Sequence, residues 1–273
     1  MARALDANGA SKVFIIGRRE QVLQETAASA VNGSIIPVTG DVTSRESLQA
    51  AYDTVASQID HADLLVANSG IAGPSTNTKT QPECYPALSE FRDQLWSIPM
   101  EEFTNVSHVN VTGAFYTIVA FLPLLEAQNK KRQAPVPGTV SPPRPQVIIT
   151  SSIAGFIRLE LPSFPYNLSK AAVNHMVKML ATTLSQYGIR VNGITPGLYR
   201  TDMSLPFYES QGVPGNGTVD GLFPQDLIPV TRSGGEEDMA GVILWMAGAA
   251  GGYLNENIVV SDGGSVSVMP STY

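Results

Sequence analysis

Short runs of β-branched and aliphatic residues, each followed by a longer segment with helical spacing, recur along this chain and constrain its fold more than any other feature. Residues 12–16 (KVFII) predict a strand and 20–30 a helix. Residues 34–38 predict a strand, and Thr43-x-x-Glu46 a capping box opening a helix to about residue 57. Buried strands follow at 63–67 (DLLVA) and 146–150 (QVIIT), with a long helical stretch between them at 100–128. A helix carrying Tyr166 and Lys170 has Val173, Met176, Val177, Leu180 and Leu184 at spacings of three and four, with Gly188 placed to end it. A strand at 189–194, a helix at 236–248 and a last strand at 257–260 complete the series. Parallel neighbours need long crossovers, and the crossovers place helices on both faces. The expected fold is one α/β domain over residues 1–273, a doubly wound parallel sheet in three layers.

Three segments break the rhythm. Residues 71–97 form a long connection holding Pro74, Pro82 and Pro86. Residues 127–145 hold Pro135, Pro137, Pro142, Pro143 and Pro145, which predicts an exposed insertion. Residues 199–231 contain Gly212-Val213-Pro214-Gly215-Asn216-Gly217, a cluster that follows no strand and precedes no helix. That context predicts a substrate lid rather than a phosphate loop. The lid carries Leu205, Phe207, Tyr208, Leu222 and Phe223, and Phe156, Leu159 and Phe164 lie between Ser152 and Tyr166. These side chains either line an apolar substrate pocket or pack among themselves.

Composition removes several function classes. A net charge of −7 and a pI of about 5.0 argue against nucleic acid as a partner. The single cysteine, Cys84, allows no intrachain disulfide and fits a reducing compartment. His61, His108 and His175 are scattered, so no metal site is expected. No uninterrupted apolar run reaches about 18 residues and the N-terminus lacks a signal-peptide core, so a soluble cytoplasmic protein with no membrane span is expected.

Chemistry concentrates at strand ends, where open α/β sheets bind their ligands. Asp41-Val42, Asn68-Ser69-Gly70, Ser151-Ser152 and Pro196-Gly197 each follow a strand directly. Taken singly, Asp41 reads equally as a turn residue and Pro196-Gly197 as a type II turn. Tyr166 and Lys170, at i and i+4, share one helix face. An ammonium about 4 Å from a phenol supplies roughly 4 kcal/mol at an effective dielectric near 20, enough to lower a phenol pKa of about 10 by some three units. The expectation is therefore an acidified Tyr166 able to move protons near neutral pH.

Together these motifs resemble the short-chain dehydrogenase/reductase family, from about residue 2 to residue 264. The matching pieces are Asp41-Val42-Thr43, Asn68-Ser69-Gly70, Asn110 in His108-Val109-Asn110-Val111-Thr112-Gly113, and Ser152-Ile153-Ala154-Gly155. They continue through Tyr166-x-x-x-Lys170, Val191-Asn192-Gly193-Ile194-Thr195-Pro196-Gly197 with Thr201, and Asp262-Gly263-Gly264. The resemblance implies a Rossmann-like sheet and a catalytic set of Ser152, Tyr166, Lys170 and Asn110. Tyr166 would exchange the hydroxyl proton, and Lys170 would tune it and hold the nicotinamide ribose. Ser152 would bind the substrate carbonyl, and Asn110 would fix a water beside Lys170. Asp41 and Val42 would flank adenine, Asn68 and Gly70 would admit the cofactor, and Pro196, Gly197 and Thr201 would face the nicotinamide. Arg18, in Gly17-Arg18-Arg19 directly after the strand at 12–16, suits a 2′-phosphate and favours NADP(H) over NAD(H).

The family opens on a strand and a TGxxxGxG turn, and this chain contains no such motif. Its first ten residues read instead as the end of the helix that follows that turn. The strands at 12–16 and 63–67 are then expected to lack the neighbour they would share. A start assigned too late, a decayed relic, and a closed-up fold with cofactor-free chemistry each explain this. The leading expectation is a secondary-metabolism oxidoreductase interconverting a ketone and a secondary alcohol with NADP(H), acting on a bulky polyketide- or terpenoid-like compound. A cofactor-independent isomerase, lyase or cyclase, or an inactive binding protein, is the alternative. The resemblance also implies a homodimer or homotetramer, with residues 98–128 and 166–187 as candidate faces.

Overall fold

The β-branched runs become strands because both of their faces meet helices. The computed structural model describes residues 1–75, 86–132, 134 and 136–273. Pro82, Cys84 and Pro135 lie outside the described residues. The element order is α1 (Ala2–Ala7), β1 (Val13–Gly17), α2 (Glu20–Ala28), β2 (Ile35–Thr39), α3 (Arg45–Ala56), β3 (Leu64–Ala67), α4 (Leu88–Trp96) and α5 (Met100–Ser107). A π-helical turn, His108–Gly113, leads into α6 (Ala114–Lys131). Then come β4 (Gln146–Thr150), α7 (Phe164–Ser185), β5 (Arg190–Pro196), α8 (Leu205–Ser210), α9 (Glu236–Ala247), β6 (Ile258–Ser261) and α10 (Ser265–Val268).

All pairings between these strands are parallel, in two sheets of order β1-β2 and β3-β4-β5-β6. In β4, Val147 and Ile149 face α6 and α7, packing on Ile118, Leu125, Val173, Val177 and Ala181. Ile148, between them, faces the opposite way with Ile194, Ile243 and Met246, against α9 and partly buried residues of α1. This alternation makes a three-layer α/β/α domain. Strands β1 and β3 do not pair with each other, matching the expectation that they lack a shared neighbour. β4 is buried from Gln146 to Ile149, whereas β1 is only half-buried along its length.

Several expectations need correction. The α3 cap is Ser44, whose Oγ accepts from Ser47 N at 3.1 Å, because Asp41 Oδ1 already holds the Thr43 hydroxyl at 2.7 Å. The expected single helix over 100–128 is interrupted by the π-helical turn and runs on to Lys131, so the proline-rich segment begins at Arg132. An i,i+4 pair, Glu126–Lys130 at 3.0 Å, and basic residues in the last turn explain that extension. The same stretch, Met100–Lys131, is long and apolar enough to cross a membrane by length and composition, contrary to the expectation of no such segment. Polar Ser, Asn and Thr residues break its apolar run, yet its mean hydropathy stays high. In this fold it is a core helix, with Val106, Ile118, Phe121, Leu124 and Leu125 buried. Gly188 adopts φ +68° after the end of α7, the left-handed conformation for which glycine is suited.

Candidate active site

Strand β4 ends in Thr150, and Ser151 and Ser152 turn out of the sheet toward the start of α7. Ser152 accepts from Ala154 N at 3.2 Å and so caps the 3₁₀ turn Ile153–Gly155. Helix α7 starts at Ser163, whose hydroxyl accepts from Tyr166 N at 3.4 Å, with Pro165 in the first turn. This start fixes Tyr166 in the first turn and Lys170 one turn later, both buried. The Ser152 hydroxyl is close enough to the Tyr166 phenol to favour its ionised form. Lys170 Nζ donates to Thr150 O at 3.0 Å and lies 5.5 Å from the Tyr166 ring centre.

Asn110 stands in the π-helical turn and is buried. Its Nδ2 donates to Ile71 O and to Ser169 Oγ, both at 3.0 Å, and its Oδ1 accepts from Ile71 N at 2.8 Å. It therefore ties the connection after β3 to the helix that carries Tyr166 and Lys170. The irregular turn is what aims it inward, a common use of π-helical geometry. Gly70 completes the group: a Cβ there would lie 3.1 Å from Asn110 Oδ1 and 3.6 Å from Lys170 Nζ. Ser152, Tyr166, Lys170, Asn110 and Gly70 thus form one constellation.

The remaining predicted residues sit at the neighbouring strand ends. Asn68 Oδ1 accepts from Thr150 Oγ1 at 3.0 Å, joining the ends of β3 and β4. The Asp41 carboxylate accepts from Thr43 N and Oγ1, and its other oxygen is 4.0 Å from Arg18 Nη1. Thr43 and, more weakly, Arg18 hold its carboxyl below the usual range. Val42 packs where a Cβ on Gly113 would fall, 2.9 Å from its Cγ2. Pro196 ends β5, and Gly197 abuts β6: a Cβ there would stand 2.6 Å from Asp262 Cβ and 2.7 Å from Asp262 Cα. Thr201 is exposed and forms a hydroxyl-linked turn with Ser204, apart from the constellation.

One expectation fails on physical grounds. The Tyr166 phenol is pushed up, not down, because burial penalises the phenolate more than the nearby Ser152 hydroxyl favours it. Burial also lowers Lys170, to about 8, and its ammonium points at the Thr150 carbonyl. In the lid, Tyr208 and Phe223 are buried with Ile228, packed against Leu198, Val213 and Leu222. For those side chains the self-packing reading holds.

Residues not picked from sequence do much of the positioning. Ser169 Oγ donates to Tyr166 O at 2.7 Å while accepting from Asn110. Ser151 Oγ donates to Lys170 O at 3.1 Å. Ser163 was legible as a cap three residues before Tyr166, with proline just inside the helix. Thr150 acts through its carbonyl, which no side-chain pattern records.

The donor set fits the two ends of a nicotinamide dinucleotide. Lys170 Nζ keeps two N–H bonds free of Thr150, beside the space left by Gly70, suited to a ribose diol. At the far end Arg18 stands 4.0 Å from Asp41, with Arg19 next to it in the chain at the start of α2.

Residues 1–266 match the family model described as Enoyl-(Acyl carrier protein) reductase. A "Short-chain dehydrogenase/reductase PhomF'" of Diaporthe leptostromiformis is 42% identical over 278 residues, covering 100% of this chain and 88% of that protein. "Short-chain dehydrogenase/reductase SAT3" of Stachybotrys chartarum is 38% identical, covering 100% of both. Among solved structures, a short-chain type dehydrogenase/reductase from Mycobacterium marinum superposes with a TM-score of 0.73 at 28% identity, covering 97% of this chain and 89% of that one. The Pseudomonas aeruginosa RhlG/NADP active-site complex gives 0.70 at 25%, covering 96% and 89%. On its motifs, its fold and these relatives, the chain belongs to the short-chain dehydrogenase/reductase family.

Proposed function

We propose that this protein reduces a ketone to a secondary alcohol with NADP(H). The observation that carries the reading is the buried Tyr166 phenol, with the Ser152 hydroxyl on one side and Lys170 one helical turn away, its Nζ 5.5 Å from the ring centre. A bound nicotinamide would supply the hydride. Ser152 donates a hydrogen bond to the substrate carbonyl and orients it. Tyr166, kept protonated by burial, gives its proton to the oxygen that gains charge. A raised pKa suits Tyr166 to the proton-donor role when the reaction runs toward the alcohol. Lys170 would hold the ribose hydroxyls of the bound cofactor and stabilises the phenolate left by proton transfer, and Asn110 keeps the helix and the Ile71 connection in register.

Arg18 and Arg19 support the 2′-phosphate reading, as does the NADP complex of the related Pseudomonas protein. An apolar substrate is supported by two exposed phenylalanines, Phe164 at the start of α7 and Phe207 within the segment 199–231. Self-association through residues 98–128 and 166–187 would cover Phe115, Val119 and Met179, each at least 40% exposed.

NADPH consumption with a panel of apolar ketones tests the reading. Tyr166→Phe should lose about 10²–10⁴-fold in kcat while keeping its fold. Full activity in Tyr166→Phe would reject the assignment. Turnover that persists without nicotinamide and vanishes in that variant would favour a cofactor-independent isomerase, lyase or cyclase.

A further inference from the structure

Arg18 and Arg19 adjoin in sequence but face different partners. Arg18 Nη1 is 4.0 Å from Asp41 Oδ2, at the end of β2. Arg19, the residue preceding α2, donates from Nη1 to Asp202 Oδ2 at 3.0 Å, across 183 residues of chain. Asp202 lies at the foot of the segment 199–231, inside the hydroxyl-linked turn of Thr201 and Ser204. The Arg19–Asp202 pair therefore ties the adenosine end of the cleft to the base of the lid.

The tie is weak by construction. Its side chains are 71% and 85% exposed, where an ion pair contributes little. A phosphate dianion offers the same guanidinium a stronger, two-pronged contact. The start of α2 carries no side-chain cap that would compete for such an anion.

We propose that Arg19 is an exchangeable latch. Asp202 holds it in the free protein, and the 2′-phosphate of the dinucleotide takes it over and frees the foot of the lid. Cofactor recognition and lid position are then coupled through one guanidinium, and the coupling is reciprocal. This rests on the NADP(H) reading above and adds a residue, Asp202, that touches no part of the proposed catalytic group.

Adenosine 2′-monophosphate and adenosine are the probes, with binding followed by calorimetry and lid mobility by hydrogen exchange over residues 199–212. Asp202→Asn should tighten the 2′-phosphate about two- to fivefold, the scale of an exposed pair, and leave adenosine unchanged. The 2′-phosphate should raise lid exchange in the wild type, while Asp202→Asn shows raised exchange already without ligand. Preferential phosphate binding with no change in either readout in Asp202→Asn would overturn the latch and leave the cofactor reading standing. Equal binding of the two probes would overturn both.

Discussion

Lys170 is held at a thermodynamic disadvantage, and its removal should stabilise the protein. Burial lowers its pKa from 10.5 to about 8. Between those values the unfolded chain binds the proton that the folded chain gives up, so stability rises with pH across that window. Below about pH 8 the penalty is present in full, and above 10.5 it is gone. Each pH unit is worth about 1.4 kcal/mol, which sets the penalty near 3 kcal/mol at pH 7 and about 1 kcal/mol at about pH 9.5. Lys170→Met keeps the stem and removes the charge. It also loses the hydrogen bond to Thr150 O, worth about 1 kcal/mol. The expected net gain is about 2 kcal/mol at pH 7, shrinking to nothing by about pH 9.5. Urea denaturation of wild type and variant at the two pH values measures this, because groups common to both cancel in the difference. A variant no more stable than wild type at pH 7, or an equal difference at both values, would refute a buried, desolvated ammonium. The same variant should lose the proposed reductase activity, so stability and function move in opposite directions at one residue.

Three further outcomes follow from the geometry. Gly197→Ala should destabilise by about 1–3 kcal/mol in thermal or urea unfolding, because its Cβ would meet Asp262 Cβ at 2.6 Å and the Asp262 backbone at 2.7 Å. Gly70→Ala, whose Cβ would sit 3.1 Å from Asn110 Oδ1, should leave stability within about 1 kcal/mol yet weaken NADPH binding about tenfold in a fluorescence titration. Asp6 is buried and accepts from Val31 N, Asn32 N, Ser34 N and Ser34 Oγ, which hold its carboxyl at about 2, below the usual 3.8. Its contribution is present above about pH 4 and disappears as pH falls through about 2. Asp6→Asn should therefore melt lower at pH 7 and lose less on acidification than the wild type, as read by circular dichroism.

The sheet was legible because buried parallel strands leave a nearly continuous β-branched signature. QVIIT became β4 from Gln146 to Thr150 without a shift. Ends were less legible where side chains compete for backbone groups. At the start of α3 the pattern Thr43-x-x-Glu46 looked like the cap, but the Asp41 carboxylate captures Thr43 and hands the cap to Ser44. The π-helical turn at Asn110 left no periodic signal either, since it depends on the tertiary partners Ile71 and Ser169.

Spacing gave the pair Tyr166 and Lys170, and the resemblance of the surrounding motifs to the short-chain dehydrogenase/reductase family added Ser152 and Asn110, but neither gave the electrostatics of the constellation. Spacing puts a lysine one turn from a tyrosine; it does not say where the ammonium points or how much water reaches it. Here Nζ turns to the Thr150 carbonyl and both side chains are buried, so desolvation outweighs their mutual effect. Desolvation acts on each group in the direction of neutrality: phenol protonated, amine close to losing its proton. A neutral acid beside an amine that gives up its proton near pH 8 is a pair that can hand a proton outward without separating charge in a dry site. Any ligand hydroxyl that accepted from one of the two remaining N–H groups of Lys170, in addition to Thr150 O, would change that balance, since a further hydrogen bond favours the ammonium and with it the pull on the phenol. The acidified tyrosine expected from sequence is on this argument a property of the loaded site. It predicts that the Tyr166 phenol, followed by ultraviolet absorbance, titrates lower in the presence of NADP than in its absence.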